Sequence, residues 1–203
     1  MRTILYFGSF NPIHNGHIAL ANYLLSQSLF DRVMMVLSPQ NPLKVNSDLW
    51  DDNVRLDLAR KAVEEYPNIE VTDIEFSLPT PNYTAKTLRI FRENHPDAQF
   101  ALLIGEDNYN IFDKWYNYEE ILMHHKVFVY PRNNETKNDK KDSSNSDIND
   151  ELQSKFQWLN GAPLLPISST EVRTLLAAKK SISHLVPRSI IPQIESYILS
   201  DKI

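Results

Sequence analysis

The apolar run Ile4-Leu5-Tyr6-Phe7 passes without a spacer into Gly8-Ser9-Phe10-Asn11-Pro12-Ile13-His14-Asn15-Gly16-His17, and a helical pattern follows at once. A short apolar run closed by glycine reads as a strand buried on both faces. Ile18, Leu20, Ala21, Leu24 and Leu25, followed by Leu29, mark the apolar face of the helix, and residues 32–37 read as a second buried strand. Two buried strands joined by a helix pair in parallel with a right-handed crossover. The chain is therefore expected to be an α/β protein.

The turn between the first strand and its helix is also where chemistry is expected. A helix N-terminus carries unpaired N–H groups and the positive end of the dipole, which together attract phosphate. Gly8 removes a Cβ from the path of a ligand, and Pro12 stiffens the turn. His14 and His17 add side-chain donors beside the same anion. Two plainer readings compete: a metal site shared by the two histidines, or core and capping histidines without chemistry.

Alternation of helix and strand continues along the chain. Asp51 or Asp52 caps a helix expected to run to about residue 66, and residues 69–76 are strand-like. A helix begins at Thr84 and stops near His95-Pro96. Residues 100–104 form an apolar strand that ends in Gly105-Glu106-Asp107, residues 118–125 are helical, and residues 126–130 are a further strand. Residues 164–167 read as the last strand, leading into a helix through about residue 180, and residues 190–199 close the chain as an amphipathic helix. Residues 133–150 are rich in Asn, Asp, Ser and Lys, and read as a flexible surface insertion within a single domain spanning 1–203.

Three polar clusters fall at expected strand ends: residues 8–17, residues 105–107 and residues 168–173. Parallel sheets hold ligands at the carboxyl ends of their strands, so the three are expected to share one crevice. Ser168-Ser169-Thr170 with Arg173 one turn later reads either as a simple N-cap with a surface arginine or as a second anion cradle. Trp115-Tyr116 reads either as packing or as a stacking platform for a flat heteroaromatic ring. Lys44, in the loop after the second strand, can bring a cation to a monophosphate.

Composition narrows the field. The 203 residues are 42% hydrophobic, which suits one core of useful size, and the net charge of -5 argues against broad nucleic-acid binding. The chain has no cysteine, so disulfides and thiolate metal sites are excluded. There is no signal-peptide pattern and no run of the ~20 apolar residues a membrane span needs, so a cytoplasmic protein is expected. Self-association is left open.

Gly8-x-Phe10-x-Pro12-Ile13-His14-Asn15-Gly16-His17, with Ile167-Ser168-Ser169-Thr170-x-Val172-Arg173, resembles the nucleotidyltransferase superfamily, and within it the bacterial nicotinate-mononucleotide adenylyltransferases. Tyr83-Thr84-x-x-Thr87-Leu88, Ile104-Gly105-x-Asp107, Lys114-Trp115-Tyr116 and Leu185-Val186-Pro187 are similar to that family in the same order. The chain departs from it at Ser9 and Asn11, where Thr and Asp are frequent, in the loop before Lys44, and in the length of the polar insertion.

The resemblance implies a Rossmann-like, doubly wound, mostly parallel sheet with helices on both faces. It implies transfer of AMP from ATP to nicotinate mononucleotide, with magnesium held mainly by the ATP phosphates and no protein metal ligands. The alternatives are the amide mononucleotide or another phosphomonoester as acceptor, or an ATP-binding module without turnover. His14, His17 and Arg173 are the implied catalytic residues. Gly8, Ser9, Phe10, Gly16, His17, Ile167, Ser168, Ser169, Thr170 and Arg173 would bind ATP. Asn11, Lys44, Thr84, Gly105, Asp107, Trp115 and Tyr116 would bind the mononucleotide.

Overall fold

The computed structural model describes residues 1–39, 49–131, 153–164 and 166–199. Lys44 and the insertion at 133–150 lie outside the described residues. Six strands, β1 (Arg2–Gly8), β2 (Arg32–Leu37), β3 (Ile69–Thr72), β4 (Gln99–Gly105), β5 (Val127–Tyr130) and β6 (Phe156–Trp158), form one sheet in the order β3-β2-β1-β4-β5-β6. Every pairing is parallel. The chain steps outward from β1 to β3, then returns to set β4 on the other side of β1. The switch point therefore lies between β1 and β4, where parallel sheets open a crevice above their carboxyl ends.

The helices are α1 (Asn15–Ser26), α2 (Asp52–Val63), α3 (Thr84–Asn94), a one-turn α4 (Glu106–Tyr109), α5 (Tyr118–His124), α6 (Ser169–Ala177) and α7 (Ile191–Leu199). Successive strand residues face opposite ways, and the two cores follow that rule. Ile4, Met35 and Leu103 join Leu24 of α1, Leu58 of α2, Val172 of α6 and Ile194 of α7. Leu5, Val36 and Leu102 face the other way, with Leu88 of α3 and Ile121 of α5. Both faces are covered, which is why the strands read as continuous apolar runs.

Three expectations are corrected. The strand expected over 69–76 stops at Thr72: the Ile74 N–H bonds back to Thr72 Oγ1 at 3.3 Å, and Ile74–Ser77 forms a 3₁₀ turn. Residues 164, 166 and 167 are not a strand; the sixth strand is β6, with Phe156 and Trp158 packed edge-on against Tyr109. Finally, α6 ends at Ala177, short of residue 180, because Lys179 turns left-handed (φ 54°). Lys179 N–H then bonds to Leu176 O at 2.9 Å and Lys180 N–H to Leu175 O at 2.8 Å, the Schellman closure of a helix C-terminus.

Candidate active site

A cavity of about 620 Å³ opens at the switch point. The first turn reaches it through Gly8, Ser9, Phe10, Asn11, His14, Gly16 and His17, and the stretch before α6 through Ile167, Ser168, Ser169, Thr170 and Arg173. Thr84, Gly105, Asp107, Trp115 and Tyr116 border the same space. Every sequence-predicted site residue except Lys44, which is not described, therefore lines one cavity.

At the polar end, His14 is the N-cap of α1 and is almost fully buried. Its N–H donates to His17 Nδ1 at 3.2 Å, and the two imidazoles stack with centroids 3.6 Å apart. Because His17 Nδ1 accepts, a neutral His17 carries its proton on Nε2. Gly16 makes the stack possible, since a Cβ there would sit 3.0 Å from His14 Nδ1. Gly8 borders the cavity and also serves the turn itself. A Cβ on it would meet the Phe10 ring at 3.0 Å, so this glycine makes room for a side chain of the protein.

Phe10 itself is left-handed (φ 43°), which costs a non-glycine residue about 1–2 kcal/mol. Its ring is held edge-on by Tyr6 at 5.5 Å and His17 at 5.0 Å. The carbonyls of Ser9, Asn11 and Pro12 beside it are engaged. Arg55 Nη1 donates to Ser9 O at 2.5 Å, Arg173 Nη1 to Asn11 O at 2.7 Å, and Ser169 Oγ to Pro12 O at 2.9 Å. Arg173 was expected on a polyphosphate; here it bridges α6 to the first turn, with Nη2 3.4 Å from Thr170 Oγ1. Ser168 does cap α6, accepting the Glu171 N–H at 3.1 Å.

Asn11 was expected on the mononucleotide. Its side chain is buried, and Oδ1 accepts the Trp50 N–H at 3.1 Å, so it braces the backbone that leads into α2.

The other end of the cavity is aromatic. Trp115 packs on Phe112 at 5.0 Å, so the packing reading of this residue is also realised, and its buried Nε1 lacks a hydrogen-bond partner. Tyr116 is 47% exposed and stacks on Tyr83 at 4.6 Å, with Lys86 Nζ 5.1 Å and 5.5 Å from the Tyr83 and Tyr116 centroids.

Several neighbours went unforeseen. Glu75 is buried against the cavity, and its carboxyl accepts from Thr87 Oγ1 at 2.7 Å. Burial pushes that carboxyl above the ordinary carboxylate range, against the pull of the Thr87 and Ser38 hydroxyls. Asn82 Nδ2 donates to Glu75 O at 3.0 Å, which leaves Asn82 Oδ1 buried without a partner. The signal for Glu75 was a lone acid between Ile74 and Phe76. The signal for Arg55 was a cation three, four and seven residues before Leu58, Ala59 and Ala62, on the apolar stripe of its own helix.

Among the described residues, no group of three or more His, Cys, Asp or Glu is placed to hold a metal ion. His14 and His17 therefore belong to no such group there. Among the same residues, no helix is long and apolar enough to cross a membrane.

A cavity at the switch point of a parallel sheet is a common place for a ligand, and the likenesses of the chain narrow the class to transferases. Residues 5–175 match the cytidylyltransferase-like family. A protein of Flavobacterium psychrophilum, named a probable nicotinate-nucleotide adenylyltransferase, is 44% identical over 98% of this chain and 96% of its own length. A Bacteroides thetaiotaomicron protein of the same name is 38% identical over 98% of this chain and 93% of its own length. The fold matches that of Plasmodium falciparum nicotinic acid mononucleotide adenylyltransferase complexed with NaAD, with a TM-score of 0.73 at 20% identity over 100% of this chain and 98% of that one. The chain belongs to the cytidylyltransferase-like nucleotidyltransferases and, among them, to the family of the nicotinate-nucleotide adenylyltransferases.

Proposed function

We infer that the protein is an adenylyltransferase that joins the AMP moiety of ATP to nicotinate mononucleotide, releasing pyrophosphate and forming nicotinate adenine dinucleotide, a step of NAD biosynthesis. One observation carries the assignment to these residues. A single cavity holds both a phosphate-directed end and an aromatic end, as joining a triphosphate to a pyridine nucleotide requires. The names of the curated relatives agree with this reading.

An oxygen of the mononucleotide 5′-phosphate attacks the α-phosphorus of ATP in line, and the bond from that phosphorus to the bridging oxygen of pyrophosphate breaks. No covalent enzyme intermediate is needed, so positioning and charge stabilisation supply the catalysis. His17, donating through Nε2, and the N-terminus of α1 hold the α- and β-phosphates as charge moves to the leaving group. Arg173 and the hydroxyls of Ser168, Ser169 and Thr170 hold the β- and γ-phosphates. Thr84, Trp115 and Tyr116 frame the pyridine ring. Magnesium carried by the triphosphate would spread the charge of the departing pyrophosphate, and Asp107, exposed at the cavity edge, is a carboxylate within the site for its hydration shell.

The direct test is pyrophosphate release with ATP, magnesium and a panel of acceptors: nicotinate mononucleotide, nicotinamide mononucleotide and phosphopantetheine. Fastest turnover on the acid mononucleotide is expected. Faster turnover on another acceptor would reassign the substrate, and background release with all three would leave an ATP-binding module.

A further inference from the structure

Arg55 is wholly buried, and all five of its N–H donors are used. Nε donates to Trp50 O at 3.0 Å, Nη1 to Ser9 O at 2.5 Å and Ser38 O at 3.0 Å, and Nη2 to Pro39 O at 3.2 Å and to the Asp52 carboxylate. Four of the five acceptors are main-chain carbonyls, drawn from the turn after β1, the stretch after β2 and the approach to α2. A buried ion pair by itself is a poor source of stability. A planar fork spread over four carbonyls is instead a device for fixing where those peptides point.

We propose that Arg55 is a positioning residue for nucleotide binding, acting through the Ser9–Phe10 peptide. In a trans peptide the carbonyl and the following N–H point opposite ways. With Ser9 O drawn onto Arg55, the Phe10 N–H is turned away from that guanidinium, on a turn that borders the cavity. Phe10 is the residue with φ 43°, and such a conformation persists only where its surroundings over-determine it. Arg55 grips the carbonyl of Ser9, the residue before Phe10, and Arg173 that of Asn11, the residue after it, so two guanidinium groups bracket the strained residue. Arg55 is not among the residues that line the cavity, so it works on the ligand through main chain.

The inference rests on reading the cavity as an ATP site, and its test separates the two. ATP is titrated calorimetrically, with magnesium, into the wild type, Arg55→Lys and Asp52→Asn, and each is melted with and without ATP. Lysine keeps the charge but cannot span four carbonyls. Arg55→Lys is expected to weaken ATP binding by about tenfold, the scale of one lost charged hydrogen bond, and to shrink the ATP-induced rise in Tm. Asp52→Asn leaves the carbonyl contacts in place and is expected to stay within about twofold of wild type, as for a half-exposed ion pair.

Wild-type ATP affinity in Arg55→Lys, with the whole loss in the unliganded Tm, overturns the proposal. So does an Asp52→Asn defect as large as that of Arg55→Lys, or the absence of a cooperative transition in Arg55→Lys, which would tie the residue to the whole fold. A wild type that binds no ATP would instead overturn the reading of the cavity.

Discussion

At the polar end of the cavity, the carbonyls of Ser9, Asn11 and Pro12 are all bonded into the protein and two imidazoles are locked in a stack. At the aromatic end, Tyr116 stands 47% exposed and leans on Tyr83, so the rings there contact each other. One end is held by bonds within the protein. On the function proposed above, the other would exchange contacts among its own side chains for contacts with a pyridine ring. Preorganised donors act on the rate of the chemical step, whereas a stacking platform acts on binding. Substitutions at the two ends should therefore separate kcat from KM.

The largest effect is expected at His17. His17→Ala should lower kcat by roughly 10²- to 10³-fold, the range for removing one donor to a transition-state oxyanion, with KM values little changed. A raised KM at normal kcat would erase the contrast between the ends. Arg173→Lys should reduce kcat/KM for ATP by about tenfold, because a point charge cannot hold Asn11 O and a phosphate at once. Steady-state kinetics with each substrate varied in turn would show whether that loss stays on the ATP side. At the other end, Trp115→Ala should raise KM for the mononucleotide about 3- to 10-fold while sparing KM for ATP, in line with the strength of an aromatic pair. Equal loss for both substrates would mean that Trp115 serves the core through Phe112.

A smaller effect lies outside both ends. His125 is buried, with Nδ1 3.0 Å from Phe100 O and Nε2 without a partner. Burial, helped by the charges of Arg92 and His124, holds its pKa below the ordinary histidine value of 6.5. The unfolded chain therefore takes up the proton first. The stability owed to neutral His125 is complete above about pH 6.5 and declines as pH falls toward the folded-state pKa. Urea midpoints at pH 7.5 and 5.5 should drop more for the wild type than for His125→Gln. An equal drop in both would place the acid sensitivity elsewhere.

The polar end was legible in the sequence because its parts are local. His14 and His17 sit three residues apart, and Ser168 to Arg173 spans little more than one helical turn. What was hidden depends on partners far along the chain. Arg55 meets Ser9 across 46 positions, and only its misplacement on an apolar stripe hinted at a buried role. The bracing role of Asn11 was hidden because its partner, the Trp50 N–H, is main chain and leaves no mark in composition. The parallel sheet and its two covered faces followed from apolar runs. β6 escaped because three residues at a sheet edge carry too short a pattern to separate from a loop.

The start of α1 is tied to a distant stretch of chain. Asn15 N–H donates to Leu185 O at 2.8 Å, and Asn15 Nδ2 reaches His184 O at 3.2 Å across 169 positions. In a chain made from its N-terminus, the histidine motif emerges well over a hundred residues before these anchors. The start of α1 can thus take its described shape only after residues 184 and 185 have been made, however early its own residues appear.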